Sequence, residues 1–286
     1  MKNSKVLYQE LVSRVTLKQG KGEVSEMIYR VIEKAYGLSR TEILTGKEIT
    51  VSQLAEAMID SCIVRINRSE PIQYVLREAD FYGRKYFVDE SVLIPRPETE
   101  ELIRLVVSEV NGHFAAPVTI LDVGTGSGCI AITLALEIQN ASLVATDVSE
   151  SALILAALNQ QHLGSTVTFL AHDILNEDIS VGNLNLIVSN PPYIAMAEKK
   201  SMEVSVHQYE PGLALFVPDN DPLLFYNALA AKGMLSLLPS GILAVEINER
   251  FGTEVASSFM ANGFDRVRIV KDIFAKDRMV IGYKNI

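Results

Sequence analysis

The most specific chemistry in the chain lies in four consecutive residues, Asn190, Pro191, Pro192 and Tyr193. They follow an apolar run, 184–189 (LNLIVS), that reads as a β-strand. Two prolines remove two backbone donors and stiffen the loop. The carbonyls of Asn190 and Pro191 and the side-chain amide oxygen of Asn190 can then point outward as acceptors. Tyr193 offers a flat face. Such a set suits a planar NH₂ group, with two hydrogen bonds in its plane and one aromatic ring stacked over it. Asn and Pro are also ordinary turn residues. Their place at a strand end, beside a glycine-rich loop, favours the chemical reading, because ligands of open α/β sheets bind at strand ends.

That loop is Gly124-Thr125-Gly126-Ser127-Gly128, between a strand at 118–123 (VTILDV) and a helix. Glycine permits unusual φ and lets a ligand approach the backbone closely. The pattern is G-x-G-x-G, with Cys129 next, and no GK[ST] follows, which excludes a P-loop. Asp147 ends the next strand, 23 residues past Gly124. An acid there can accept hydrogen bonds from both hydroxyls of a ribose. Ser149 is available to cap the following helix, so Asp147 is not needed for that. Asp173 and Ile174 follow the third strand and suit an adenine ring, the carboxylate accepting from its amine and Ile174 packing on its face. NAD and S-adenosylmethionine proteins share the loop and the acid, and the loop leaves both open.

These residues need a scaffold, and the chain from 118 onward supplies one. Strands read at 118–123, 142–147, 166–171, 184–189, 242–247, 265–271 and 278–284, with helices near 128–138, 150–162, 222–237 and 251–262. Alternating strands and helices predict an open parallel sheet covered on both faces. The last two strands have only FAKDR between them, too short for a crossover, so they form an antiparallel hairpin. Upstream, PETEELIRLVVSEV reads as a helix with Pro97 in its first turn and Glu98, Glu100 and Glu101 at its positive end.

The first part reads helical. Val24, Met27, Ile28, Val31, Ile32 and Ala35 recur at helical spacing, and Gly37 is a stop signal. Residues 51–67 give a second helix, with Leu54, Ala55, Met58 and Cys62 inward and Thr50 as its cap. Shorter helices near 4–16 and 40–45 complete a bundle. Pro71 ends it, and the aromatic and β-branched residues of 72–94, broken by Gly83, suit a hairpin connector. The reading is a helical domain over 1–70, a β connector over 71–95 and a catalytic domain over 96–286.

The 286 residues carry 26 Lys/Arg against 35 Asp/Glu, a formal net charge of −9. Residues 1–80 hold 12 of the former and 11 of the latter, so the acidic excess sits in the catalytic part. That argues against a protein gripping nucleic acid through phosphates. Two cysteines without CxxC spacing and four histidines without an HExxH pair argue against zinc and a disulfide framework. The expected metal count is therefore none. No signal-peptide h-region and no membrane-length apolar run are present, which predicts a cytoplasmic protein without membrane association.

NPPY with an upstream DVGTGSG resembles the amino-group methyltransferases that use S-adenosylmethionine. The wider set is more specific. PIQYVLREADFYGRKYFVDESVLIPRPETEELI, DVGTGSGCIAI, VSNPPYI and YEPGLAL together resemble the bacterial peptide chain release factor methyltransferases, the protein-(glutamine-N5) methyltransferase family. The resemblance covers nearly the whole chain and is strongest over 71–215. It implies a class I S-adenosylmethionine-dependent methyltransferase fold: a seven-stranded, mostly parallel sheet with a terminal antiparallel hairpin, and a small N-terminal helical bundle. It implies methylation of the side-chain amide of the glutamine in the Gly-Gly-Gln motif of release factors.

Carried over by residue, the resemblance places Gly124, Thr125, Gly126, Ser127 and Gly128 around the methionine part of S-adenosylmethionine. It places Asp147 at the ribose and Asp173 with Ile174 at the adenine. Asn190, Pro191, Pro192 and Tyr193 hold the substrate glutamine, with Asn190 also beside the cofactor. Pro95, Arg96, Pro97, Glu98 and Thr99 line the active-site side of the connector, and Tyr209-Glu210-Pro211 form a later loop. The chain departs from the family pattern twice. Arg77 stands where Gly is usual, a change expected to affect the hairpin turn. Residues 218–222 (PDNDP) replace a glycine-rich stretch, a change expected near the substrate. A ribosomal-protein glutamine methyltransferase and a DNA adenine N6-methyltransferase share the NPPY chemistry. The second also needs base flipping and phosphate contacts, for which no added domain is visible.

Overall fold

A computed structural model describes the chain apart from Lys18, Gln19, Ala116 and Ile286 and the side chain of Lys21. It divides into two compact units, Met1–Glu78 with Glu203–Tyr209, and Ala79–Met202 with Glu210–Ile286.

The first unit runs β1 (Lys2–Asn3), α1 (Ser4–Arg14), α2 (Lys21–Tyr36), α3 (Arg40–Leu44), β2 (Glu48–Ile49), α4 (Gln53–Ile66) and α5 (Ile72–Leu76). The short strands pair antiparallel. Local chemistry sets the boundaries. Asn3 caps α1, Gly37 ends α2 in the left-handed region at φ 66°, and Ser39 with Glu42 forms a capping box on α3. The cap of α4 is Ser52, which accepts from the Ala55 N–H, and not Thr50. The inward face of α4 is Ala55, Ile59, Cys62, Ile63 and Ile66. Leu54, expected inside, is 83% exposed, because it lies one position off that stripe.

Residues 72–76 form a helix where strand was expected. Ile72, Val75 and Leu76 complete the helical core. Arg65 donates to the carbonyls of Tyr74 and Val75, satisfying acceptors at the C-terminal end of this short helix. Arg77 closes α5 in the left-handed region at φ 57°. The family's glycine would sit there unstrained, and a side chain costs roughly 1–2 kcal/mol. The departure therefore falls at a helix end and not in the hairpin turn. Glu203–Tyr209, read from sequence as part of the catalytic domain, belongs to this unit, and Tyr209 donates from its hydroxyl to the Arg68 carbonyl at 2.8 Å.

The hairpin β3 (Glu78–Phe81) and β4 (Arg84–Phe87) turns at Tyr82 and Gly83, both at positive φ as tight hairpins require. Then follow α6 (Pro97–His113), β5 (Val118–Val123), α7 (Cys129–Glu137), β6 (Ala141–Asp147), α8 (Glu150–Leu163), β7 (Val167–Ala171) and β8 (Leu184–Ser189). After these come β9 (Ile194–Ala195), α9 (Val204–Tyr209), β10 (Phe216–Val217), α10 (Leu224–Ser236), β11 (Leu237–Glu246), α11 (Gly252–Ala261), β12 (Phe264–Lys271) and β13 (Asp277–Lys284).

The main sheet has seven strands in the order β12-β13-β11-β8-β5-β6-β7. Strands β11, β8, β5, β6 and β7 are parallel, and β13 is antiparallel to both its neighbours. The expected terminal hairpin is thus present, with its second strand inside the sheet. Both faces are covered, which is why the central strands are apolar on both sides. Ile120, Leu186, Val188 and Ala244 pack with Leu102, Val106 and Ile130 on one face, and Leu121, Ile187 and Val245 with Tyr226, Leu229 and Phe259 on the other. Strand order reverses between β5 and β8, because the chain steps outward to β7 and returns on the other side of β5, and the register sets Val123 opposite both Thr146 and Ser189, with Val245 beside Ser189. Their carboxyl ends therefore open on one crevice.

Candidate active site

The glycine loop turns away from β5 through three left-handed residues, Gly124 at φ 73°, Gly126 at φ 53° and Gly128 at φ 80°. The N–H groups of Gly124 and Thr125 donate to the Thr146 carbonyl at 2.8 and 2.9 Å, which ties the loop to β6. At Gly128 a Cβ would meet Ile132 Cδ1 at 2.8 Å and Ala156 Cβ at 3.1 Å, so this glycine serves helix packing. At Gly124 and Gly126 the Cβ position meets nothing within 4 Å, and both residues line the cavity. A ligand can approach the backbone there.

Buried polar groups hold the loop from beneath. Asp122 accepts from the Thr125 hydroxyl at 2.7 Å and the Ala131 N–H at 3.2 Å. Burial pushes its carboxyl up to about 7. The fully buried Asn159 accepts from the Phe87 N–H at 2.6 Å and donates to the carbonyls of Phe87 and Ser127, each at 2.9 Å. It joins the end of β4 to the glycine loop. Asp147 accepts from the Gly126 N–H at 2.8 Å and the Ser149 N–H at 2.9 Å, while Ser149 caps α8. Burial raises the Asp147 carboxyl. Each of its oxygens keeps a second acceptor direction.

At the end of β8, the Asn190 amide is oriented by a relay. Its Nδ2 donates to Thr99 Oγ1 at 3.1 Å, and Thr99 Oγ1 donates to Glu246 Oε2 at 2.7 Å. Asn190 Oδ1 is left as the available acceptor of that amide. Tyr193 donates from its hydroxyl to Glu246 Oε1 at 3.4 Å. Glu246 closes β11, is 1% exposed, and its carboxyl is pushed up to about 7 by burial, against the Thr99 hydrogen bond and the Arg278 charge.

The IPRP segment is anchored by Glu210, a residue of the YEP loop. Its carboxylate accepts from the Arg96 guanidinium at 2.6 Å and the Ile94 N–H at 3.2 Å. Pro95, Arg96 and Thr99 line the cavity together with Gly124–Ser127, Asp147, Asp173, Ile174 and Asn190–Pro192. Gly128, Pro97, Glu98 and Tyr193 are not among its lining residues. The Tyr193 hydroxyl is turned to Glu246, and Glu98 reaches the site through its charge, which raises the Glu246 carboxyl. None of residues 218–222 lines the cavity. Asp219 instead accepts from the Ala197 N–H at 2.8 Å. Sequence reasoning missed Glu246, Asn159 and Asp122. Glu246 carried a signal, a lone acid inside the apolar run ILAVEI.

The donor set fits S-adenosylmethionine. The two open glycines provide a backbone cradle, Asp147 provides acceptors at a strand end, and Val148, Ile174 and Leu229 provide apolar walls for a ring. Asp173 is held below the ordinary carboxylate range by Asn176 and the Leu175 N–H, and lines the same cavity as an ionised acceptor. Cys62 and Cys129 are free and buried. Among the described residues no cluster of His, Cys, Asp or Glu could hold a metal ion, and no helix is long and apolar enough to cross a membrane.

Comparisons with known proteins agree with this geometry. Residues 103–208 match the family model described as Methyltransferase small domain. A crystal structure of a methyltransferase from Pyrococcus furiosus superposes with a TM-score of 0.52 at 18% identity, covering 78% of this chain and 98% of that one, which shows the fold. A release factor glutamine methyltransferase of Bacteroides thetaiotaomicron is 43% identical, over 85% of this chain and 87% of the relative. One of Flavobacterium psychrophilum is 37% identical over 90% and 91%. Likeness of this degree along almost the full length places the chain in the release factor glutamine methyltransferase family.

Proposed function

We propose that the protein transfers a methyl group from S-adenosylmethionine to the side-chain amide nitrogen of the glutamine in the Gly-Gly-Gln motif of peptide chain release factors, in the cytoplasm. The observation that carries the reading is Asn190, whose amide is fixed by Thr99 so that an acceptor is offered in the cavity that also holds the open glycines.

An amide nitrogen is a weak nucleophile, since its lone pair is delocalised into the carbonyl. When bound, S-adenosylmethionine supplies an electrophilic sulfonium methyl and leaves as S-adenosylhomocysteine. Asn190 Oδ1 and the Pro191 carbonyl accept the two N–H groups of the glutamine and fix the nitrogen in line for attack. Positioning of this kind supplies several kcal/mol of a barrier. As the nitrogen becomes cationic both acceptors hold it more strongly, which stabilises the transition state over the ground state. The methylated nitrogen then sheds its extra proton to water. Gly124–Gly128, Asp147, Asp173 and Ile174 hold the cofactor, and Arg96, held by Glu210, shapes the substrate mouth.

Incubation with labelled S-adenosylmethionine and separate pools of release factors, ribosomal proteins and DNA tests this. Label is expected in release factor, at the glutamine of Gly-Gly-Gln on mass mapping. Label confined to ribosomal protein or to adenine would replace the substrate.

The helical domain of residues 1–70 is proposed to dock the protein substrate, since the cavity residues all come from the other unit. With the full chain and its release factor, hydrogen exchange is expected to slow on exposed faces of α1–α4. Protection confined to Ala79–Ile286 would remove that role.

A further inference from the structure

We propose that Glu246 is a positioning residue whose negative charge fixes, through Thr99, which end of the Asn190 amide faces the substrate, so that methyl transfer is lost when this carboxylate takes up a proton. The inference rests on the substrate reading above and adds to it a residue and a proton-dependent control.

The logic is one of hydrogen-bond polarity. An ionised carboxylate can only accept. Thr99 has one hydroxyl proton, and at 2.7 Å from Glu246 Oε2 that proton is committed to the carboxylate. The Thr99 oxygen must then accept, and its neighbour at 3.1 Å is Asn190 Nδ2. The relay leaves Oδ1, an acceptor, for a substrate NH₂. A protonated Glu246 can donate to Thr99 instead. The Thr99 hydroxyl is then free to donate to Asn190, which favours the amide flipped by half a turn. A flipped amide presents NH₂ to NH₂, and the substrate loses one of its two in-plane acceptors.

The groups around Glu246 set where this happens. Thr99 and Tyr193 donate to its two oxygens and Arg278 on β13 lies near with a positive charge, all favouring the ionised form. Burial and Glu98 on α6 oppose it. Tyr226 on α10 donates to the Glu246 backbone carbonyl at 3.2 Å and leaves the carboxylate free. The balance puts the carboxyl at about 7. Because the ionised form is the active one, activity is present above that pH and is lost as pH falls through it. The acceptor amide does not titrate there, and Asp122, also near 7, lies beneath the glycine loop outside the relay, so variants of the relay assign the limb.

The test is the pH profile of kcat for release factor methylation, with wild type, Glu246→Gln, Thr99→Val and Thr99→Ser. Wild type is expected to show a single-proton acid limb with its midpoint near 7. Thr99→Ser keeps a hydroxyl and is expected to keep the limb. Glu246→Gln has no proton to gain and is expected to lose the limb, whichever end of its amide meets Thr99. Thr99→Val cuts the relay and is expected to lose the limb and about 10–100-fold in kcat, the range seen when an orienting outer partner is removed. Binding of S-adenosylhomocysteine, measured calorimetrically, is expected to stay within a few-fold in all four, which shows that they are folded. Binding of release factor to the S-adenosylhomocysteine-loaded enzyme is expected to weaken below pH 7 in wild type alone of wild type, Glu246→Gln and Thr99→Val. Survival of the acid limb in either Glu246→Gln or Thr99→Val, with unchanged midpoint, would overturn the relay. A wild type that binds cofactor but methylates no release factor at any pH would instead overturn the substrate reading, and the inference with it.

Discussion

Asn190→Ala is expected to lower release factor methylation by about 10²–10³-fold, the scale of losing one preorganised polar group at a developing charge. Alanine removes the side-chain acceptor and leaves Thr99 Oγ1 without its Asn190 partner. The glycine loop and Asp147 keep their own hydrogen bonds to backbone groups, none of which involves Asn190. Cofactor affinity is therefore expected to remain within a few-fold. Steady-state kinetics on intact release factor, paired with calorimetric titration of S-adenosylhomocysteine, measures both. Near-normal turnover would sink the role given to Asn190.

The opposite pattern is expected at Asp147. Asp147→Ala removes the acceptors assigned to the two ribose hydroxyls. It also removes the partners of the Gly126 and Ser149 N–H groups. Hydrogen bonds to charged groups contribute about 1.5–3 kcal/mol each. Losing the equivalent of one to two of them lowers cofactor affinity roughly 100-fold, at ~1.4 kcal/mol per factor of ten. Turnover at saturating cofactor is expected to fall far less than in Asn190→Ala, because the relay around Asn190 is untouched. An Asp147→Ala protein with unchanged affinity would move the ribose elsewhere. The two variants together separate cofactor holding from substrate holding, which one alone cannot do.

Much of the second unit was legible because its signals are local. Alternation of apolar strands and helices, a glycine turn after β5 and the short FAKDR link each name one element and its neighbour. The helical caps at Gly37 and Ser149 were readable for the same reason. Residues 72–76 were misread because Tyr74 and Val75 favour strand in isolation, while the packing of Ile72, Val75 and Leu76 into the helical core makes a helix. Thr50 is a cap by residue type, but the helix starts two residues later, where Ser52 accepts from the Ala55 N–H. The Tyr193 hydroxyl is drawn to Glu246, a partner that the local sequence does not announce.

The sequence by itself determined the chemistry on offer: a glycine cradle, an acid at each of two strand ends, and an amide beside two prolines, in an order that dictates a parallel sheet. Those features follow from residue type and short spacing. Only the tertiary structure decided how the amide is used. Thr99 and Glu246 lie 91 and 56 positions from Asn190 in the chain, and they meet because α6, β8 and β11 end at one crevice. Hydrogen-bond polarity depends on which donors and acceptors become neighbours in space. That is a property of strand register and burial, and no local pattern encodes it.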